Sequence, residues 1–274
     1  MSLFRTPLLF EDDTSHDWTS FISVVVGGSK PEVPSQTATY GATKTFLVHE
    51  TTIRASSPFF EAALSSPQWK EARNRTVPLE QHTPEVFEVY LRWVYSRRGI
   101  TLKKTDDKEI AKNAYTSLLY RAYVLGDVLL DFDFKDAVID ALTIYTLSNC
   151  YCWIEVKYIY GNTSKESKLR YWLVAVAVGG CGPKHLALEE LSDFLPPEFL
   201  RDALVRTDRV AFPGHARNLD EEKYGLHRLG GFRASYSDLL KDPCLLHEHG
   251  MEKMMCYRFK DALDKGVHRS PWPN

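Results

Sequence analysis

A change of hydrophobic period along the first half of this chain limits its fold more than any other feature. Phe21 to Val26 (FISVVV) is apolar and β-branched and stops at Gly27-Gly28, as a strand entering a turn does. Lys44 to Val48 (KTFLV) and Arg75 to Leu79 (RTVPL) are two further short runs of that kind. Pro78 has no amide hydrogen for a ladder, which confines the last run to a sheet edge or a strand end. From Glu109 onward the apolar residues recur at three- and four-residue intervals instead. So few short strands must take their core from helices packed against them. The expected class is α+β, a small sheet with packed helices, followed by an all-helical C-terminal extension.

Local signals place the helices. His49–Ser56 and Pro58–Leu64 form two short segments, with Ser57 ahead of Pro58 as the start of the second. Thr83-Pro84-Glu85 reads as a cap, an N1 proline and a first-turn acid. The helix that follows, to Tyr95, is apolar on most faces and should be buried. Glu109–Leu130 carries Ala111, Ala114, Tyr115, Leu118, Leu119, Ala122, Tyr123 and Leu125 in helical register, with Gly126 placed to weaken or end it. Phe134–Leu147 repeats the pattern. Phe87, Leu91, Val94, Leu118 and Leu119 are expected in the core, while Tyr90, Trp93, Tyr95, Tyr115, Tyr120 and Tyr123 fit either a core or a binding surface. Beyond residue 148 helical signals fall at Trp153–Tyr160, Lys168–Val178, Pro197–Leu204 and Glu252–Leu263, and the chain after Val210 is largely polar and Gly-rich. The expected organisation is an arm (1–19), a domain with its following helices (20–148) and a helical extension with an irregular tail (149–274).

Charge and cysteine usage exclude several classes. Lys and Arg number 34 against 36 Asp and Glu, for a net charge of -2, so no basic excess points to nucleic acid. Arg97-Arg98 and Lys103-Lys104 are short and run into Asp106, Asp107 and Glu109. The five cysteines, Cys150, Cys152, Cys181, Cys244 and Cys256, are odd in number and absent from the first half, unlike a secreted disulfide framework. The N-terminal residues lack a continuous apolar stretch, and the most apolar run, from Tyr171 to Gly180, is far shorter than the roughly 20 residues a bilayer needs. An intracellular protein is expected, with nucleus and cytoplasm both open and no membrane partner.

No catalytic motif accompanies this pattern. Neither Gly27-Gly28 nor GGCG at 179–182 has the spacing of a phosphate loop, and no GxSxG motif is present. His49 sits where a strand meets a helix and reads as a turn-fixing residue; Glu71 reads as a local cap or salt-bridge partner. One cluster, Cys244, His247, His249 and Cys256, offers two thiolates and two imidazoles, the donors a structural zinc takes. The plainer reading of the same stretch is a surface loop and a helix with Met254, Met255 and Cys256 turned inward. Apart from that zinc, no cofactor is expected.

FISVVVGG from Phe21, KTFLVHETTIRASSPFFEAAL from Lys44, WKEARNRTVPLE from Trp69 and TPEVFEVYLRWVYSRRG from Thr83 together resemble a BTB/POZ domain. Phe46, Val48, His49, Ile53, Ser57, Phe60, Glu71, Pro84, Phe87, Leu91 and Tyr95 fall on that family's characteristic positions. The later segments IYGNTSKESKLRYWLV and FLPPEFLRDAL are similar to the helical extension of many fungal members. The resemblance implies a protein-binding adaptor without chemistry of its own, whose relatives self-associate, pair with other members or bind the N-terminal part of a cullin in ubiquitin ligases. Strongly dimeric members pair an Asp in the first strand with a basic residue after the His. Those positions here are Phe21 and Glu50, so that pair cannot form. The implied interaction face includes Phe21, Glu50, Pro58, Phe59 and Glu61. Residues 149–274 carry neither kelch repeats nor a MATH domain. A homo-oligomeric structural protein, and an enzyme in the second half built on Cys181 or the Cys/His group, are the competing readings.

Overall fold

The computed structural model describes residues 17–28, 43–97, 99–103, 108–148, 155–180, 195–211, 243–248 and 256–258. Strand β1 (Phe21–Val26) is the centre of a three-stranded sheet, flanked by β2 (Lys44–His49) and β3 (Thr76–Leu79). β2 pairs with it antiparallel, Phe21 opposite His49 and Val24 opposite Phe46. β3 pairs with it parallel, Ser23 opposite Thr76 and Val26 opposite Leu79. The two-residue side-chain period sends Ile22, Val24, Val26, Val48, Val77 and Leu79 into the core and turns Phe21 and Leu47 outward. Pro78 lies on the edge strand, where its missing donor costs the ladder least.

A parallel pair needs a crossover, and three short helices supply it: α1 (Glu50–Ser56), α2 (Pro58–Ser65) and α3 (Lys70–Asn74). Ser57 starts α2 as expected, accepting a hydrogen bond from the Phe60 amide at 3.3 Å. Its hydroxyl also donates to the Leu129 carbonyl at 2.6 Å, inside the core. Arg75 ends α3 in the left-handed region, at φ 50°, and turns the chain into β3.

Helix α4 (Pro84–Ser96) buries Phe87, Tyr90, Trp93 and Val94. Thr83 occupies its N-cap position, but the hydroxyl makes no capping bond; Pro84 and Glu85 are left to define the start. Phe87 stacks edge-on against Phe46 with ring centres 5.2 Å apart, and Tyr90 against Phe134 at 5.0 Å. Helices α5 (Lys108–Leu129) and α6 (Phe132–Ser148) run antiparallel, with Tyr115 meeting Tyr145 at one end and Lys135 meeting Asp127 at the other.

Gly126 departs from its expected role, because α5 continues through it to Leu129. A Cβ there would lie 2.8 Å from Lys135 Cγ and 3.0 Å from Phe134 Cδ1, so the glycine serves the close approach of α6. The helix stops instead in a Schellman arrangement. Leu130 is left-handed at φ 57°, the Asp131 amide bonds Gly126 O at 3.1 Å and the Leu130 amide bonds Asp127 O at 3.3 Å. Asp131 then caps α6 by accepting from the Phe134 amide at 2.9 Å.

Three further helices follow: α7 (Val156–Asn162), α8 (Lys168–Ala175), which runs on into a π-helical turn (Val176–Gly180), and α9 (Pro197–Ala211). They share one core with the first half. Trp172 packs on Tyr120 and donates its Nε1 hydrogen to Thr143 Oγ1 at 3.0 Å, and Arg121 meets Glu155 at 3.0 Å. Tyr90, Trp93, Tyr120 and Tyr123 are buried, Tyr95 is exposed, and Tyr115, Leu91 and Leu118 are half-buried at the margin. Among the described residues no helix is long and apolar enough to cross a membrane.

Candidate interaction face and candidate metal centre

The outer face of the sheet and the rim beside it display exposed apolar side chains. Leu47 is 72 % exposed, Trp18 57 %, Tyr95 48 % and Phe21 43 %. Their arrangement follows from the strand register, since Phe21 and His49 are direct partners across β1 and β2. The imidazole lies among three aromatic rings, with centres 4.4 Å from Phe21, 5.1 Å from Trp18 and 5.9 Å from Tyr95. Tyr95, near the end of α4, accepts the His49 backbone N–H at 3.2 Å, and its hydroxyl lies 2.9 Å from Nδ1. The His49 side chain forms no cap on α1, so the strand-to-helix turn is fixed through Tyr95.

A charged border adjoins this face. Glu50 receives hydrogen bonds from Arg75 at 2.6 Å, Arg54 at 2.9 Å and Ser20 at 3.1 Å. Burial acts to raise its pKa, but these donors prevail and hold the carboxyl below its ordinary range. Arg54 reaches Glu61 through two nitrogens, at 2.8 and 2.9 Å, and chiefly that fork lowers the Glu61 pKa to about 2. Arg75 also holds the Phe21 carbonyl at 2.8 Å. A shallow depression opens between Asp17, Glu50, Arg54 and Glu61.

Of the face residues expected from sequence, Phe21 is exposed beside this network, and Glu50 is spent on intramolecular partners. Pro58 and Glu61 are exposed on α2, while Phe59 is half-buried against Phe60. The characteristic positions Phe46, Ser57, Phe60, Pro84 and Phe87 all lie in or against the core. Trp18 and Leu47 were not anticipated as face residues. Leu47 was legible, because it alternates with Phe46 and Val48 on a strand whose other side is buried.

The second cluster lies where the C-terminal segment meets α6. A 3₁₀ turn (Pro243–Leu246) brings Cys244 and His247 to one side of the chain, with the His247 amide bonding Cys244 O at 3.1 Å. Cys244 Sγ lies 3.9 Å from Cys256 Sγ, which lies 3.5 Å from His247 Nδ1. The donor atoms of these three residues all fall within 4.8 Å of one another, and the set is capable of holding a metal ion. His249 lies outside the described residues, as do Cys150, Cys152 and Cys181.

Two aspartates on consecutive turns of α6 complete the surroundings. Asp140 Oδ1 lies 3.0 Å from His247 Nε2, and Oδ2 is bonded by Tyr257 and by Arg258 Nε, the latter at 2.8 Å. Asp136 Oδ1 accepts the Glu248 amide at 2.8 Å, whereas Oδ2 is buried without a hydrogen-bond partner among the described residues. Burial would raise Asp140, yet its bond to His247 and the Arg258 charge keep its pKa low. Burial opposes protonation of His247 too, but Asp140 and Cys256 lift it to about 9. The hydrogen bond from Cys244, then that from His247, lowers the Cys256 pKa against its burial. Asp136 behaves oppositely, pushed up to about 7 mainly by burial.

The mixed three-stranded sheet with helices against its inner face defines a small α+β fold. Residues 37–125 match the model of the BTB/POZ domain, so the chain contains a BTB/POZ domain. BTB domains mediate protein–protein contacts and are typically non-catalytic. The central strand β1 precedes the matched span, and the Cys/His cluster follows it. No curated protein matches the chain.

Proposed function

We propose that this chain is a non-enzymatic adaptor that docks another protein on the outer face of its BTB sheet. The observation that carries the reading is the contiguous exposure of Trp18, Phe21, Leu47 and Tyr95 around His49. Large aromatic and aliphatic side chains grouped on a surface are the usual anchors of a protein interface. The Glu50–Arg75–Arg54–Glu61 network supplies a polar rim that needs no partner charge, since its members satisfy one another. It also supports a partner other than a second copy joined through a charge pair at Glu50. A cullin N-terminal region is the partner that would make the chain a substrate receptor, with the C-terminal helices as the substrate-binding part.

The test is native mass spectrometry of the tagged chain purified from its host, in parallel with Leu47→Asp. The expected result is a defined second polypeptide at fixed stoichiometry on the wild type and none on the variant, with equal far-UV dichroism for both. Titration with a purified cullin N-terminal region then decides that finer reading. A stable complex undiminished by Leu47→Asp would refute the assigned face, and a wild-type monomer with nothing bound would refute the adaptor.

A further inference from the structure

We infer that Cys244, His247, Cys256 and Asp136 form a closed tetrahedral zinc site that fastens the C-terminal segment to α6. Distances between donors carry the first part of the argument. Zinc at roughly 2.3 Å from sulfur and 2.0–2.1 Å from nitrogen, with tetrahedral angles, sets sulfurs about 3.8 Å apart and sulfur and nitrogen about 3.5 Å apart. Cys244 and Cys256 stand 3.9 Å apart, and Cys256 stands 3.5 Å from His247 Nδ1. A pair of thiols in van der Waals contact has no need to meet an imidazole nitrogen at the matching distance as well.

The second part is the orientation of the histidine. Asp140 engages Nε2 at 3.0 Å, which leaves Nδ1 as the nitrogen turned to the thiols. A carboxylate behind the imidazole is the standard outer support of a histidine ligand: it fixes the tautomer and raises the ring's basicity. Asp140 is itself held by Tyr257 and Arg258, so the support is built from both sides of the cluster.

The third part is a buried oxygen with no hydrogen-bond partner among the described residues. Asp136 is 1 % exposed, and its Oδ2 has no hydrogen-bond partner although it lies 3.9 Å from His247 Nδ1. A buried carboxylate oxygen left bare is costly. A cation seated between it, Nδ1 and the two sulfurs removes that cost, the carboxylate moving inward from its present 3.9 Å to the imidazole as it joins the three donors already grouped. Thiolate and imidazole donors select zinc over calcium or magnesium, and four protein donors make the site structural, with no open position for chemistry. The Cys-x2-His turn has the short ligand spacing of structural zinc sites. Leu246, buried beside the cluster, and Tyr257, set edge-to-face against Trp93 with ring centres 5.4 Å apart, show what the clip secures.

The experiment uses the full chain, expressed with zinc in the medium and purified without chelator. Metal content by plasma mass spectrometry and the native mass should give one zinc per chain, an increment of about 63 Da on the protein mass once the two displaced thiol protons are subtracted. Cys244→Ser and Cys256→Ser should each retain less than a tenth of that zinc. In competition with a chromophoric chelator, Asp140→Asn should bind zinc about 10–100-fold more weakly, and Asp136→Asn at least as weakly. His249→Ala should keep its full equivalent. Cobalt(II) added to the chelator-stripped wild type should give a thiolate charge-transfer band and the intense visible bands of a tetrahedral ion, a readout that needs no variant to fold. Wild-type protein free of zinc, or lighter by the two hydrogens of a Cys244–Cys256 disulfide, would overturn the site. Loss of zinc in His249→Ala with full retention in Asp136→Asn would overturn the assignment of the fourth donor.

Discussion

Ser57→Ala tests how the crossover helices are joined to the rest of the core. One buried hydroxyl serves two helix ends, accepting from the Phe60 amide at the start of α2 and donating to the Leu129 carbonyl at the end of α5. Both partners are groups that a helix cannot satisfy within itself. Losing the cap costs about 1 kcal/mol. Leaving the Leu129 carbonyl without its buried donor adds about 1–3 kcal/mol. The expected loss is therefore about 2–4 kcal/mol, and it separates by a second substitution. Ser57→Gly keeps most of the capping preference, within a few tenths of a kcal/mol, so its loss reports mainly the Leu129 bond. Urea denaturation followed by both far-UV dichroism and tryptophan fluorescence measures it; with a slope of about 2–3 kcal/mol per molar, the midpoint should fall by roughly 1 M. Coincidence of the two probes is required before the free energies are compared. Ser66→Ala, beside the same helix but with only a 3.4 Å contact to the Gln68 amide, is the control and should cost under about 0.5 kcal/mol. A Ser57→Ala loss no larger than the control's would refute the two-helix role.

Three further outcomes follow from local geometry. Gly126→Ala should destabilise by about 1–3 kcal/mol in the same urea assay, because the new methyl meets Lys135 and the Phe134 ring; an unchanged midpoint would show that α6 gives way freely. Leu130→Gly should stabilise by about 0.5–1 kcal/mol, since relief of the left-handed strain at φ 57° outweighs the added freedom of the unfolded chain. A lower thermal midpoint for that variant would contradict this balance. Burial, and then the Arg121 charge, depresses the His82 pKa from 6.5 to about 4, so the unfolded chain binds a proton that the folded chain refuses. The associated stability is full above pH 6.5 and drains as pH falls toward 4, by up to about 3 kcal/mol. The stability of wild type relative to His82→Gln should therefore fall between pH 7 and pH 4.5, and a constant difference would refute it.

Gly126 and Ser57 show where local reading stops. Ser57 was legible as a cap because capping is settled within one turn: a hydroxyl, a following proline and an apolar run. Its second bond, to Leu129, spans 72 positions and has no local signature. A glycine inside a helical pattern reads as a weak point until the neighbour that needs its missing Cβ is in place, and that neighbour is α6. The cap assigned to Thr83 shows the converse, a residue of the right type whose hydroxyl is not used.

The sequence by itself determined the three strands, the longer helices and their order, but not the short helix Lys70–Asn74. Periods of two and of about 3.6 residues, with proline and serine at the boundaries, are properties of short segments. It also offered Cys244, His247, His249 and Cys256 as candidate metal donors, from their chemistry and nearness in the chain, and three of these come together in a set capable of holding a metal. Only the tertiary structure decided that Glu50 is spent on Arg75 and Arg54, that Tyr95 holds His49, and that Trp18, Phe21 and Leu47 share one exposed face. It alone set Asp140 behind a histidine 107 positions away and brought the bare oxygen of Asp136 to the same place. The reason is physical: a side chain's period and cap are fixed by neighbours within a turn, while its distant partners are fixed by how helices pack, which no local pattern records.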